Sequence, residues 1–90
     1  MIVFVFTEQS KKIFDALDSP IQQRIRKKLI FLKDHPEIFR VLVPLHHFEP
    51  ATHRLRIGNY RVVLELKQSS KKEICFRIID IDHRSTVYRS

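Results

Sequence analysis

Apolar and polar residues alternate most regularly between His53 and Leu66. Two period-two runs flank Gly58-Asn59, a dipeptide suited to a two-residue hairpin turn. Such a turn sets Ile57 against Tyr60, Arg56 against Arg61, Leu55 against Val62 and Arg54 against Val63. Leu55, Ile57, Tyr60, Val62, Leu64 and Leu66 then share one face, while Arg54, Arg56 and Arg61 share the other.

The period changes elsewhere. Residues 2–6 are β-branched and aromatic and read as a buried strand. Thr7 is placed to cap a short helix over residues 8–17, with Ile13, Phe14 and Leu17 on one side. Ser19-Pro20-Ile21-Gln22 is a stronger start signal: Ser19 as cap, Pro20 in the first helical position, and Gln22 closing a capping box. The helix that follows carries a core stripe of Ile21, Ile25, Leu29 and Leu32. Its other faces hold Arg24, Arg26, Lys27, Lys28 and Lys33, a run that reads either as a solvated surface or as an RNA dock. Pro36 ends this helix at Asp34-His35. Residues 37–50 lack a clear period, although Val41-Leu42-Val43 can tuck against the core. After a polar turn at residues 68–72, residues 73–81 return as a strand. Its apolar residues are nearly continuous, which predicts a central strand buried on both faces. Arg77 interrupts it and either meets a carboxylate or extends the arginine face.

Ninety residues, 43% of them hydrophobic, make one domain over 1–90 with a core sufficient for a single sheet covered on one face by helices. The net charge of +7 points to nucleic acid or to an acidic protein. Basic residues are spread over the elements, which disfavours a membrane surface. Cys75 is the only cysteine, so no internal disulfide forms, and a buried thiol is expected. His46-His47 are adjacent loop residues without a third donor at suitable spacing, so no metal or other cofactor is expected. The apolar start is too short to span a membrane and lacks a basic leader, and a cytoplasmic protein is expected.

Charge makes the hairpin informative. Like charges directly opposite each other destabilise a sheet, yet Arg56 faces Arg61 with Arg54 close by. The arginines either extend into water or grip an anion, and their planar forks suit phosphate oxygens. A second cluster, His83, Arg84 and Tyr88, follows a strand expected beside the hairpin. His83 can also simply end its strand, Tyr88 can be a core aromatic, and Arg84 can be a surface charge. Together the two clusters make a minimal kit for phosphodiester cleavage. Arginines stabilise the charge of the transition state, histidine moves a proton, and tyrosine stacks a base. No acidic cluster is expected on this face, so a metal-free route is preferred. That route points to RNA, which carries its own 2′-OH nucleophile.

With Arg54-Leu-Arg-Ile-Gly-Asn-Tyr-Arg-Val-Val63 and the ending Ile81-Asp-His-Arg-Ser-Thr-Val-Tyr88, the chain resembles the RelE/ParE superfamily of toxins from type II toxin–antitoxin pairs. The resemblance implies an α+β fold in the order β-α-α-β-β-β. Two N-terminal helices would pack on one face of a small antiparallel sheet of about four strands, with the active site on the other face. It implies cleavage of mRNA, commonly in the ribosomal A site, leaving a 2′,3′-cyclic phosphate and a 5′-OH. Residue by residue, Arg61 matches the transition-state arginine, and Arg54 and Arg56 match basic positions of the preceding strand. Arg84 matches a leaving-group arginine, Tyr88 a base-stacking tyrosine and His83 a proton-transfer histidine. Some members carry lysines where Arg54 and Arg56 stand, and arginine is a poor base. Others use a central-loop glutamate, and Glu49 lies several residues past that place. Proton transfer therefore falls to His83. The resemblance also implies an antitoxin encoded by the adjacent gene. It leaves two alternatives: a ParE-like inhibitor of DNA gyrase, or an RNA-binding member without turnover.

Overall fold

Strand β1 (Ile2–Phe6) opens the chain and, at its end, Thr7 caps helix α1 (Glu8–Asp15). The Thr7 hydroxyl accepts from the Ser10 amide while the Ser10 side chain takes the Thr7 amide, a reciprocal capping box. The computed structural model describes residues 1–83. Helix α2 (Ser19–Leu32) starts one residue earlier than its sequence signal suggests. Asp18 occupies the cap position without a side-chain cap bond, and Gln22 instead donates to the Phe14 carbonyl, tying α2 to the end of α1. The helix stops at Leu32, before Asp34-His35.

The stretch without a clear period holds two short elements, α3 (Ile38–Val41) and β2 (Val43–Pro44). Leu42 is buried beside them, whereas Val43 stays exposed. The hairpin forms as expected. β3 (His53–Ile57) and β4 (Tyr60–Ser69) pair with Ile57 opposite Tyr60 and Arg56 opposite Arg61. β5 (Ile74–His83) completes a sheet ordered β1-β5-β4-β3-β2.

Three features differ from expectation. The sheet has five strands instead of about four, because β2 adds a two-residue edge. It is mixed, because β1 runs parallel to β5 while the other pairs are antiparallel. And β5 lies inside the sheet but is buried on one face only: Phe76, Ile78 and Ile81 are covered, Cys75 is half-exposed, and Arg77 meets Glu65 at 3.5 Å.

The register explains the near-continuous apolar run. Leu64 pairs with Ile78 but Val63 pairs with Asp80, so Ile79 is the extra residue of a β-bulge. Strict alternation from Phe76 and Ile78 would send Asp80 and Asp82 into the core. The bulge shifts the alternation by one, keeping Ile81 inside and turning both aspartates outward.

The core lies between one face of the sheet and the helices. Phe14, Ile25, Leu29 and Leu32 pack over Leu55, Ile57, Val62, Leu64, Phe76, Ile78 and Ile81. Phe6 and Phe14 meet with ring centroids 5.1 Å apart. Burial of this set is the main source of stability. The opposite face carries Arg54, Arg56 and Arg61.

Candidate functional site

Arg54, Arg56 and Arg61 stand together because β3 and β4 alternate without a break on either side of the turn. Gly58 holds φ +59°, a conformation in which a side chain is strained, and this lets the turn close in two residues. Their environments differ sharply. Arg56 is exposed and Arg54 is half-buried. Arg61 is buried, at 8% exposure. The Nε of Arg54 is buried and has no hydrogen-bond partner among the described residues. A buried donor without an acceptor is costly, and no described group offsets that cost at Arg54.

The bulge brings a group to this face that the sequence reading placed nowhere near it. Asp82 is opposite Arg61 in the β4–β5 register, and Asp80 is opposite Val63. The register thus sets two aspartates on the arginine face beside Arg61, with Glu65 farther along β4 on the same side. They also account for part of the Arg56–Arg61 anomaly, since Asp82 sets a negative charge against the inner arginine. Burial pushes the Asp82 carboxyl above its ordinary value. The charge of Asp80, and a hydrogen bond that the protonated Asp82 carboxyl donates to it, add to the rise, and Arg61 opposes it. No group of three or more metal-ligating side chains occurs among the described residues.

His83 goes the other way. It pairs with Tyr60 and their rings meet edge to face at 5.0 Å, so its side chain shares the helix-covered face of the sheet with Tyr60. The register thus brings Arg54, Arg56 and Arg61 together and sets His83 across the sheet from them. Both Arg61 and His83 make further interactions. Arg84 and Tyr88 lie outside the described residues. Glu49 sits in the loop before β3, in a recess of about 650 Å³ lined also by His46, His47 and Glu65, away from the three arginines.

Sequence reasoning missed that Asp82 stands opposite Arg61. The only trace of this pairing in the sequence is the doubled isoleucine at 78–79, which fits a strand buried on both faces as readily as it fits a bulge. It also missed His53, packed against Phe39 and Phe76 with its Nδ1 2.9 Å from the Thr52 hydroxyl. Burial lowers the tendency of His53 to take a proton. Its face is that of the core, so it supports the hairpin and leaves the arginines alone.

Among known proteins, the model of a family described as the ParE toxin of the type II toxin–antitoxin system parDE matches residues 4–88. No curated protein sequence matches significantly. Solved structures give consistent folds. A RelBE toxin–antitoxin complex from Mycobacterium tuberculosis aligns at 23% identity with TM-score 0.71, covering 91% of this chain and 96% of that one. The archaeal RelE–RelB complex from Pyrococcus horikoshii aligns at 19% identity with TM-score 0.68, covering 92% and 94%. The isolated E. coli RelE toxin aligns at 21% identity with TM-score 0.66, covering 97% and 90%. At these identities the likeness speaks for the fold.

Proposed function

This chain belongs to the ParE toxin family of type II toxin–antitoxin systems, within the RelE/ParE superfamily, and from that premise we propose that it acts by metal-free cleavage of mRNA on the arginine face of the β3–β4 hairpin. The observation that carries this reading is the cluster of Arg54, Arg56 and Arg61 on one face, in which the buried Nε of Arg54 has no partner among the described residues. Such a surface is suited to a phosphate.

In the reaction, the 2′-oxygen attacks the adjacent phosphorus, the P–O5′ bond breaks, and a 2′,3′-cyclic phosphate and a 5′-OH result. Arg54, Arg56 and Arg61 stabilise the added negative charge. The 2′-OH proton needs an acceptor, which a guanidinium does not provide. We assign that role to Asp82 in place of His83, because Asp82 shares the face of Arg61 and His83 does not. A carboxylate whose proton affinity is raised by burial is a better base than an exposed one. Arg84 and Tyr88 keep the leaving-group and stacking roles that the resemblance gives them. The partners are mRNA, with the ribosome as the place of encounter, and a neutralising antitoxin. The related structures include toxin–antitoxin complexes, and an acidic antitoxin segment suits a chain of charge +7.

One observation favours a second reading. The matching family model is named for ParE toxins, and a ParE-like chain would poison DNA gyrase without nuclease chemistry. Induction of the chain followed by primer extension on abundant transcripts separates the two. Cuts at defined positions within translated codons are expected. Intact transcripts together with inhibited supercoiling would replace the first reading by the second.

A further inference from the structure

We infer that the groove between α2 and the hairpin tip is a binding subsite for single-stranded RNA, leading the strand to the arginine face. The inference rests on the RNA reading above and adds a second, separate place of contact. Arg24, Lys27, Lys28 and Phe31 follow the helical spacing of three, four and seven, so they form one stripe of α2. That stripe borders the core stripe of Ile25, Leu29 and Leu32 and faces the hairpin tip. Between them lies a groove of about 480 Å³, to which β3 contributes Arg56 and Ile57.

Stability does not explain this stripe. Helix α2 has no Asp or Glu between Ser19 and Leu32. Arg24 and Lys28, four apart, repel each other, as do Arg24 and Lys27, three apart. The last turn holds no basic residue, so the cations are not placed to complement the helix dipole. Among the described residues, none of Arg24, Lys27, Lys28 and Arg56 has an ion-pair partner. An anionic guest supplies what the chain does not.

Two details fit RNA in particular. Phe31 is 68% exposed, with the Lys28 ammonium 5.7 Å from its ring centroid, which gives a stacking platform next to a phosphate-binding charge. The Arg24 guanidinium lies against the hairpin tip, where a Cβ on Gly58 would stand only 2.7 Å from its Nη2. The single glycine of the chain thus leaves room for an arginine at the groove's floor. Continuity decides between RNA and an acidic protein segment. Arg56 lines the groove and also pairs with Arg61 across the hairpin. β2 covers β3 only at His53 and Arg54, so among the described residues no strand blocks the path from groove to face.

The test uses the full chain and a fluorescein-labelled, uncleavable 2′-O-methyl oligoribonucleotide of about ten nucleotides, followed by anisotropy across a salt series. In the variant carrying Arg24→Ala, Lys27→Ala and Lys28→Ala, the slope of log affinity against log salt is expected to become shallower by about 2, the value for three lost contacts to a single strand. Phe31→Leu is expected to weaken binding roughly tenfold at unchanged slope. Melting temperatures should hold or rise in the triple variant, since like-charge pairs are removed. A native slope in the triple variant overturns the subsite, and so does native affinity in Phe31→Leu. A triple variant that keeps its RNA slope while losing affinity for a polyglutamate peptide overturns it in favour of an acidic protein partner. The cleavage reading fails separately: if the native chain leaves a 2′-hydroxyl oligonucleotide intact, catalysis is lost from the account while the salt slope still decides the groove.

Discussion

Arg61 has two roles, and its substitution affects both. It faces Arg56 across the hairpin as part of the proposed phosphate grip, and it is the buried cation set against Asp82. Arg61→Ala is expected to lower RNA cleavage about 10²–10³-fold, as for loss of one preorganised donor. It should also destabilise the fold by about 1–3 kcal/mol, because Asp82 is left beside Asp80 without its cation. Cleavage assays and thermal melts on the same preparation read both. Asp82→Asn separates charge from base: affinity for an uncleavable RNA should rise severalfold as a carboxylate leaves the arginine face, while cleavage falls. His83→Gln with cleavage abolished and Asp82→Asn with cleavage intact would return the base to His83. Titration of His53 has a definite sign. Burial holds its folded pKa below the ordinary 6.5, so the unfolded chain binds the proton first. The stability that neutral His53 contributes is complete above about pH 6.5 and is lost as pH falls toward its folded value. Asp82 acts oppositely and lower on the scale. Raised above 3.8, it holds its proton more tightly in the fold, so its protonation favours the folded state. Melting temperature followed from pH 8 to 5 should drop in the native chain and flatten in His53→Gln.

At the level of elements, the join between α1 and β5 sets the geometry of the site. Ser10 is fully buried, and its hydroxyl donates to the Ile78 carbonyl at 2.6 Å, immediately before the bulge. The Thr7 amide reaches the same carbonyl at 3.1 Å. The helix start thereby holds the strand where its alternation shifts. Ser10→Ala should cost about 1–3 kcal/mol in urea unfolding, since a buried acceptor loses a donor and the capping box is broken. The hairpin was legible in the sequence because a two-residue turn and strict alternation leave one register. The bulge was not. Ile78 and Ile79 are both apolar, so nothing in the pattern marks where the face changes, and the positions of Asp82 and His83 follow from that one residue. β2 escaped detection for another reason: a strand of two residues has no period to read. At the start of α2, Ser19 and Asp18 are both good caps, and which one serves depends on how the chain leaves α1.

For the whole molecule, the charge of +7 brings self-repulsion that folding concentrates. The melting temperature should therefore rise as salt increases from low ionic strength to about 0.2 M, where the screening length falls below about 10 Å. A fall over that range would mean that the ion pairs of this chain outweigh its repulsion. The parallel seam between β1 and β5 bears on a different matter, the timing of assembly. A hydrogen bond from the Met1 amine to the Lys72 carbonyl spans 71 residues of sequence, and the strands it introduces are nearly the whole described chain apart. Contacts of such separation slow folding. At a synthesis rate of about 5–20 residues per second, β1 waits roughly 4–14 s for its partner strand. Throughout that interval β5, and with it the bulge and Asp82, is not yet in place, so the arginine face acquires its carboxylates only after residue 82 has been made.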